Sequence, residues 1–191
     1  NPHMSTMPRR TTTRDVDILL RAFAAAVDRV NANHAVLKLK EAIKKTAQVH
    51  FPGMLGLDWM NADADVALPL GIDPATNQPF DPLHVSSLTS QNRSLYTVYT
   101  SPNGFLELVS IPPYWMVALK LVRWGRRDWG DVGVLLRNGT LLSNTKWTAA
   151  TLIAWLESNC WAMGYAKWDE RKKMEMDERI TQAIAMVEGW N

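Results

Sequence analysis

The sequence predicts an α+β protein, and three observations predict it. An extended segment near residues 15–20 carries alternating acids and aliphatics. A middle region, 49–110, is broken by Pro and Gly and holds short alternating runs. The C-terminal half repeats apolar residues every three or four positions. Period two belongs to strands and period 3.6 to helices.

The first element is a strand around Asp15–Leu20, preceded by Thr11–Thr13, which favour extended backbone. In a strand, Asp15 and Asp17 share a face while Val16 and Ile18 face a core. Two carboxylates on one face repel unless a cation lies between them, and paired hard oxygens suit Mg²⁺. Such a pair beside a nucleotide serves phosphoryl or nucleotidyl transfer. The bland alternative is a solvated strand edge.

A helical stretch follows near Arg21–Gln48, with Phe23, Val27, Val30, Val36, Leu37, Leu39 and Ile43 on its apolar face. Asn31–His34 interrupts it, so two helices or a kinked one are expected, with Asn33 as cap of the second. Lys38, Lys40, Lys44 and Lys45 read as a solvated face. Val49–Phe51 and Asp65–Leu70 read as strands, and 69–79 as a long loop marked by Pro and Gly. Ser94–Thr100 and Phe105–Ile111 read as a hairpin around the Ser101–Gly104 turn. Pro112-Pro113 opens a helix over Trp115–Val122. Asp128–Leu136 forms a second, ended by Asn138-Gly139. Ser143–Thr145 offers caps for a third over Trp147–Met163, which Gly164 breaks. A charged amphipathic helix closes the chain near Lys167–Glu188.

Composition sets limits. A length of 191 residues means one domain, or one with an appendage. The formal charge of +2, with 47% apolar and 21% charged residues, is ordinary for a globular chain and gives no global case for a polyanionic partner. No run is apolar and long enough to span a bilayer, and no signal segment opens the chain, so a cytoplasmic location without membrane association is expected. Asn1–Met4 reads as a cloning remnant. The single cysteine, Cys160, sits among apolar neighbours and reads as a core residue. Nine tryptophans make the chain tryptophan-rich. Six of them, Trp115, Trp124, Trp129, Trp155, Trp161 and Trp168, fall in segments of helical period. They read as packing residues, because a base-stacking platform needs aromatics alternating with exposed bases.

Two motifs in order carry a resemblance. The first is Thr13-x-Asp15-Val16-Asp17-Ile18, and the second is Leu119-Lys120-Leu121, Arg127-Asp128, Asp131 and Leu135-Leu136. Together they resemble the nucleotidyltransferase-like superfamily, of DNA polymerase β-type fold, in the branch of abortive-infection type toxins. The resemblance covers 9–137, and 143–190 is then a C-terminal helical extension packed on that domain. It implies a small mixed sheet flanked by helices. It also implies Mg²⁺ (or Mn²⁺) on Asp15 and Asp17, and transfer of a nucleoside monophosphate from an NTP to a hydroxyl of RNA or protein. Thr13, Lys120 and Arg123 would meet the nucleotide phosphates, with Lys120 as a point cation. Arg127, Asp128 and Asp131 would support them, the acids near a helix N-terminus and paired with Lys120 or Arg123. A third catalytic carboxylate is expected, assigned to Asp65, with Asp63 and Asp58 as alternatives.

The pattern departs from the family in two places. Thr11 stands where the family has Arg, with Arg9 and Arg10 just ahead. No glycine precedes Gly53, so the family's glycine turn, whose amides cradle phosphate, has no counterpart. Positioning dominates phosphoryl transfer. The alternative expectation is therefore a truncated or catalytically inactive relative acting as a binding protein, with the C-terminal helices or a second copy of the chain covering an exposed strand edge. A third expectation is a plain helical interaction domain.

Overall fold

The structure, a computed structural model, describes residues 15–26, 30–125 and 127–189. It is α+β, mostly helical, with small two-stranded sheets. The chain divides into two compact units at Leu68/Pro69.

In the first unit, β1 (Val16–Asp17) pairs in parallel with β2 (Met60–Asn61). Val16 N donates to Trp59 O and Ile18 N to Asn61 O, both at 2.8 Å. The expected strand is therefore shorter than 15–20, because Leu20 already opens α1 (Leu20–Ala26). Val16 does not point into a core: it is 40% exposed, since this pairing is only two residues long and two strands wide.

The second helix, α2 (Ala32–Lys45), starts after Asn31, not Asn33, which lies inside it. Its hydrogen bonding continues through a π turn, Thr46–His50. Phe51 N reaches Thr46 O, and Val49 is exposed in that turn. Helix continuation overrides the strand propensity of Val49–Phe51. The expected strand at Asp65–Leu70 is likewise replaced, by a 3₁₀ turn over Asp63–Ala67. The Asn61 side chain accepts from Asp63 N at 3.0 Å and curls the chain there. Trp59 Nε1 donates to Ile43 O at 3.1 Å, and Ile43 and Ala47 are the buried apolar residues of α2 and its extension.

In the second unit, β3 (Gly71–Ile72) and β4 (Pro79–Phe80) form a small antiparallel pair within the expected loop. A Cβ on Gly71 would come within 2.5 Å of the Phe80 ring, so the close approach itself requires glycine. Asp81 caps α3 (Pro82–Ser87), accepting from Leu83 N and His84 N. Thr89 caps α4 (Ser90–Tyr96), which takes the first half of the expected strand at 94–100. The hairpin itself is present, β5 (Thr97–Thr100) against β6 (Glu107–Val109), with a bulge between Thr97 and Tyr99.

The main core is helical. It is built by α5 (Pro113–Arg123), α6 (Asp128–Ser143), α7 (Ala149–Asn159) and α8 (Glu170–Glu188). Trp115, Leu121, Leu136, Leu152, Leu156 and Ile180 are at most 2% exposed. Burying a leucine-sized side chain contributes about 1.5–3 kcal/mol, and these residues come from all four helices. Helix α8 packs on α5, α6 and α7. Arg179 on α8 donates to Leu121 O and Val122 O, closing carbonyls left open at the end of α5.

Several expectations about this bundle are corrected. Helix α6 runs through Asn138-Gly139 and ends only at Ser143, before a left-handed Asn144. Helix α7 starts after Thr148, which forms a reciprocal cap with Thr151, rather than at Trp147. Trp124 is not in a helix but caps α5 in the left-handed region, at φ 46°. Helix α7 also ends at Asn159, short of the expected Met163, and Gly164, at φ 68°, separates two following 3₁₀ turns instead of ending that helix. Cys160 is fully buried, and burial pushes its thiol up to about 12.

Candidate functional site

The acidic segment lies in the first unit. Asp15 immediately precedes β1 and Asp17 ends it, and both are exposed. The parallel partner strand β2 leads directly into Ala62-Asp63-Ala64-Asp65. Asp17, opposite Asn61, is thus at the end of the pair from which that segment leaves, whereas Asp15 is at the other end.

Asp65 has a defined structural contact. Its Oδ2 accepts the backbone N–H of Arg21 at 3.0 Å, in the first turn of α1. Helix N-termini leave such amides unsatisfied, and a carboxylate there also meets the positive end of the helix dipole. Arg21 Nη1 returns to Asp65 O at 3.3 Å and to Leu68 O at 3.1 Å. Asp65 Oδ1 is buried and has no hydrogen-bond partner among the described residues. Among the described residues no group of three or more His, Cys, Asp or Glu side chains comes together as a metal site. Asp65, Asp63 and Asp58 therefore do not complete one with Asp15 and Asp17.

A pocket of about 460 Å³ opens beside these strands. Ile18 and Leu20 follow β1 into it, and Asn61, Asp63 and Asp65 line it from β2 onward, with Asp58 just ahead. Lys40 and Lys44 of α2 line it as well. Sequence reasoning read these two lysines as part of a solvated face, and both are exposed; it did not place them beside a pocket. The available signal was their spacing of four, which puts both on one helix face.

The second motif lies in the other unit and forms a charge cluster. Asp128, at 2% exposure, takes the Nε–H of Arg123 on Oδ2 at 2.8 Å, and the Gly125 N–H on the same oxygen at 2.7 Å. Lys120 Nζ lies 2.7 Å from Asp131 Oδ2 and 3.6 Å from Asp128 Oδ1. Burial opposes ionisation of Asp128. The hydrogen bonds from Arg123 and Gly125, together with the Arg123 and Lys120 charges, outweigh it and hold the carboxyl below its ordinary value. Arg127 is exposed at the N-cap position of α6 and makes no side-chain cap. Thus Lys120 and Arg123 hold two acids at the junction of α5 and α6. Thr13 lies outside the described residues.

A further acid–base pair braces the hairpin. Glu107 is held down at about 2 by hydrogen bonds from Arg93 and Thr97. No helix among the described residues is long and apolar enough to cross a membrane. Comparison with family models, with curated proteins and with solved structures gives no match for this chain.

Proposed function

We propose that the chain is a Mg²⁺-dependent nucleotidyltransferase that moves a nucleoside monophosphate from an NTP to a hydroxyl of an RNA or protein acceptor. The observation that carries this reading is the parallel pairing of β1 with β2, which sets Asp17 opposite Asn61, two residues ahead of Asp63. A pocket lies beside the pair, lined by Ile18 after β1 and by Met60, Asn61, Asp63 and Asp65 in and after β2, though not by Asp15 or Asp17.

Asp15 and Asp17 fit the donor chemistry of the cation. Mg²⁺ keeps several waters and takes one or two protein carboxylates together with substrate phosphates. When bound, it would neutralise phosphate charge. Asp65, held by the Arg21 amide, lines the pocket as the neighbouring carboxylate.

The test is transfer itself. Each of the four α-labelled NTPs is incubated with the protein, Mg²⁺ or Mn²⁺, and total RNA or the protein as acceptor. Label should become acid-insoluble with wild type and fall at least about a hundredfold in Asp15→Asn/Asp17→Asn, the scale of a lost charge-stabilising group. No label above background with any NTP would remove the reading.

A second reading has its own support. Asp65 is not gathered with Asp15 and Asp17, and Lys120 and Arg123 are engaged by Asp128 and Asp131. These favour a catalytically inactive relative that acts as a nucleotide-binding or interaction protein. Nucleotide binding without transfer is the outcome that selects it.

A further inference from the structure

We infer that the first unit docks on an anionic lipid surface, with the turn after α2 inserting its apolar side chains and the lysines of α2 meeting the head groups. No helix among the described residues is long and apolar enough to cross a membrane, so the contact is with the surface of a bilayer and is not a span. The inference is independent of nucleotide transfer.

The argument begins with exposure. After the π turn the chain bends at Gly53, at φ 74°, and Met54 N and Leu55 N both donate to Phe51 O. This winds the stretch into a tight turn that presents large apolar side chains to solvent. Met54 is 80% exposed, and Val49, Phe51 and Leu57 are between 44% and 59% exposed. One exposed apolar residue is ordinary, but four on one short connection mark a contact surface.

The charge beside that turn has one sign. The segment 32–57 holds Lys38, Lys40, Lys44 and Lys45 against a single acid, Glu41, for a formal charge of +3. All four lysines are exposed, and none forms an ion pair within 4 Å among the described residues. Lys44 and Lys45 close α2 immediately before the π turn. Leu57 and Lys44 line one pocket, so the far end of the turn returns to a lysine of α2. Asp58, Asp63 and Asp65 share that lining, so the surface offered to lipid is the helix face and the turn, not the pocket.

The two chemistries together choose the occupant. Apolar side chains gain by leaving water, and lysines gain from anions at the boundary, their methylene stems reaching along it. An anionic bilayer offers acyl chains and charged head groups at that spacing. A nucleic acid supplies anions, but Val49, Met54 and Leu57 are aliphatic and give no face on which a base can stack. A second copy packed on the same patch would bring two sets of unpaired lysines together, and like charges across an interface disfavour it.

The experiment is cosedimentation of the full chain with vesicles of one part phosphatidylserine to two parts phosphatidylcholine, and with vesicles of phosphatidylcholine alone. Wild type should bind the first at least about tenfold more tightly, and added salt should weaken that binding. Lys44→Gln/Lys45→Gln should bind about ten- to thirtyfold more weakly, the effect of two lysines at an anionic surface. The control, Lys146→Gln/Lys167→Gln, removes the same charge from exposed positions of the second unit and should bind as wild type does. Val49→Ser/Met54→Ser should weaken binding about tenfold or more. Insertion is read separately. Met54→Cys carrying an environment-sensitive dye should shift to the blue on phosphatidylserine vesicles, and Leu142→Cys, exposed in the second unit, should not. The buried Cys160 stays unlabelled in the native protein. Circular dichroism confirms that the exposed substitutions leave the fold intact.

Equal binding to both kinds of vesicle overturns the inference, as does equal binding by the two lysine variants or a Met54→Cys label that does not shift. Binding to polyuridylate without binding to vesicles overturns it and assigns the lysines to nucleic acid. A dimer that Met54→Ser dissociates, in a protein that ignores vesicles, overturns it and assigns the turn to a second copy.

Discussion

Arg123 lays its guanidinium on the carboxylate of Asp128, with Nε 2.8 Å from Oδ2, and the two partners differ sharply in exposure. The Asp128 side chain is 3% exposed and that of Arg123 is 71% exposed. The acid is thus the fixed point of the junction between α5 and α6, and the base covers it from solvent. Asp128→Ala removes the acceptor of the Gly125 amide and of Arg123 together. We expect a loss of about 2–3 kcal/mol in urea denaturation, the scale for hydrogen bonds to a charged group. Arg123→Ala should cost less, because Gly125 and Lys120 still face the carboxylate. Equal losses would show that the arginine, not the buried acid, organises the turn.

The same carboxylate sets an acid limb of stability. Its folded-state value lies below its unfolded one, near 3.9 for a free aspartate. The unfolded state therefore binds the proton first as pH falls. The stabilisation is complete above about pH 4 and is lost as pH drops through the folded value. Asp128→Asn should flatten the dependence of unfolding free energy on pH below about 4, leaving stability above about pH 5 lower but parallel. An unchanged acid slope would assign that limb to other groups. Glu107, held at about 2 by Arg93 and Thr97, is the natural comparison, and Glu107→Gln isolates its share.

Gly139 gives a prediction that helix propensity alone would reverse. Alanine inside a helix is favoured over glycine by about 1 kcal/mol. Here a Cβ would lie 3.1 Å from Cζ2 of Trp147. That indole cannot slide freely: its Nε1 donates to Leu136 O at 2.8 Å, and its ring centroid is 5.1 Å from that of Trp155. Moving it weakens a hydrogen bond and repacks an aromatic pair, together about 1–3 kcal/mol. Gly139→Ala should therefore lower Tm slightly, and Gly139→Val should lower it more, with a change in tryptophan emission. A rise in Tm for Gly139→Ala would show that the indole yields at little cost.

That glycine also shows why parts of the fold were legible and parts were not. Asn138-Gly139 reads as a helix stop because glycine usually follows a helix. Its real reason is a tryptophan eight positions later, which no local pattern reveals. Apolar period gave α5, α7 and α8 to within a few residues, because their core faces are long and regular. The hairpin was legible from alternation and from the Ser101–Gly104 turn. The strands at 49–51 and 65–70 were misread, because short β-branched runs carry no tertiary information. Different contacts decided the two: local helical hydrogen bonding carried α2 on through the first, and Arg21, 44 residues away, holds the second. For the site, the acids were visible as a motif. Lys40 and Lys44 were visible only as charge, and the pocket beside them forms when α2 meets the segment after β2.

Cys160 tests the helical core from within. It follows α7, is fully buried, and has no disulfide partner. Burial alone pushes its thiol up to about 12, and the thiolate is the reactive species. At pH 8 the native protein should therefore not react with an aromatic disulfide reagent on the time scale of minutes, whereas in denaturant one thiol per chain should react at once. Labelling in native buffer then reports opening of the core around Leu156 and Cys160. The logarithm of its rate should rise in Asp128→Ala in proportion to the lost stability if the four helices open as one cooperative unit. A rate that ignores that substitution would mean that the α7 end opens locally, independently of the α5–α6 junction.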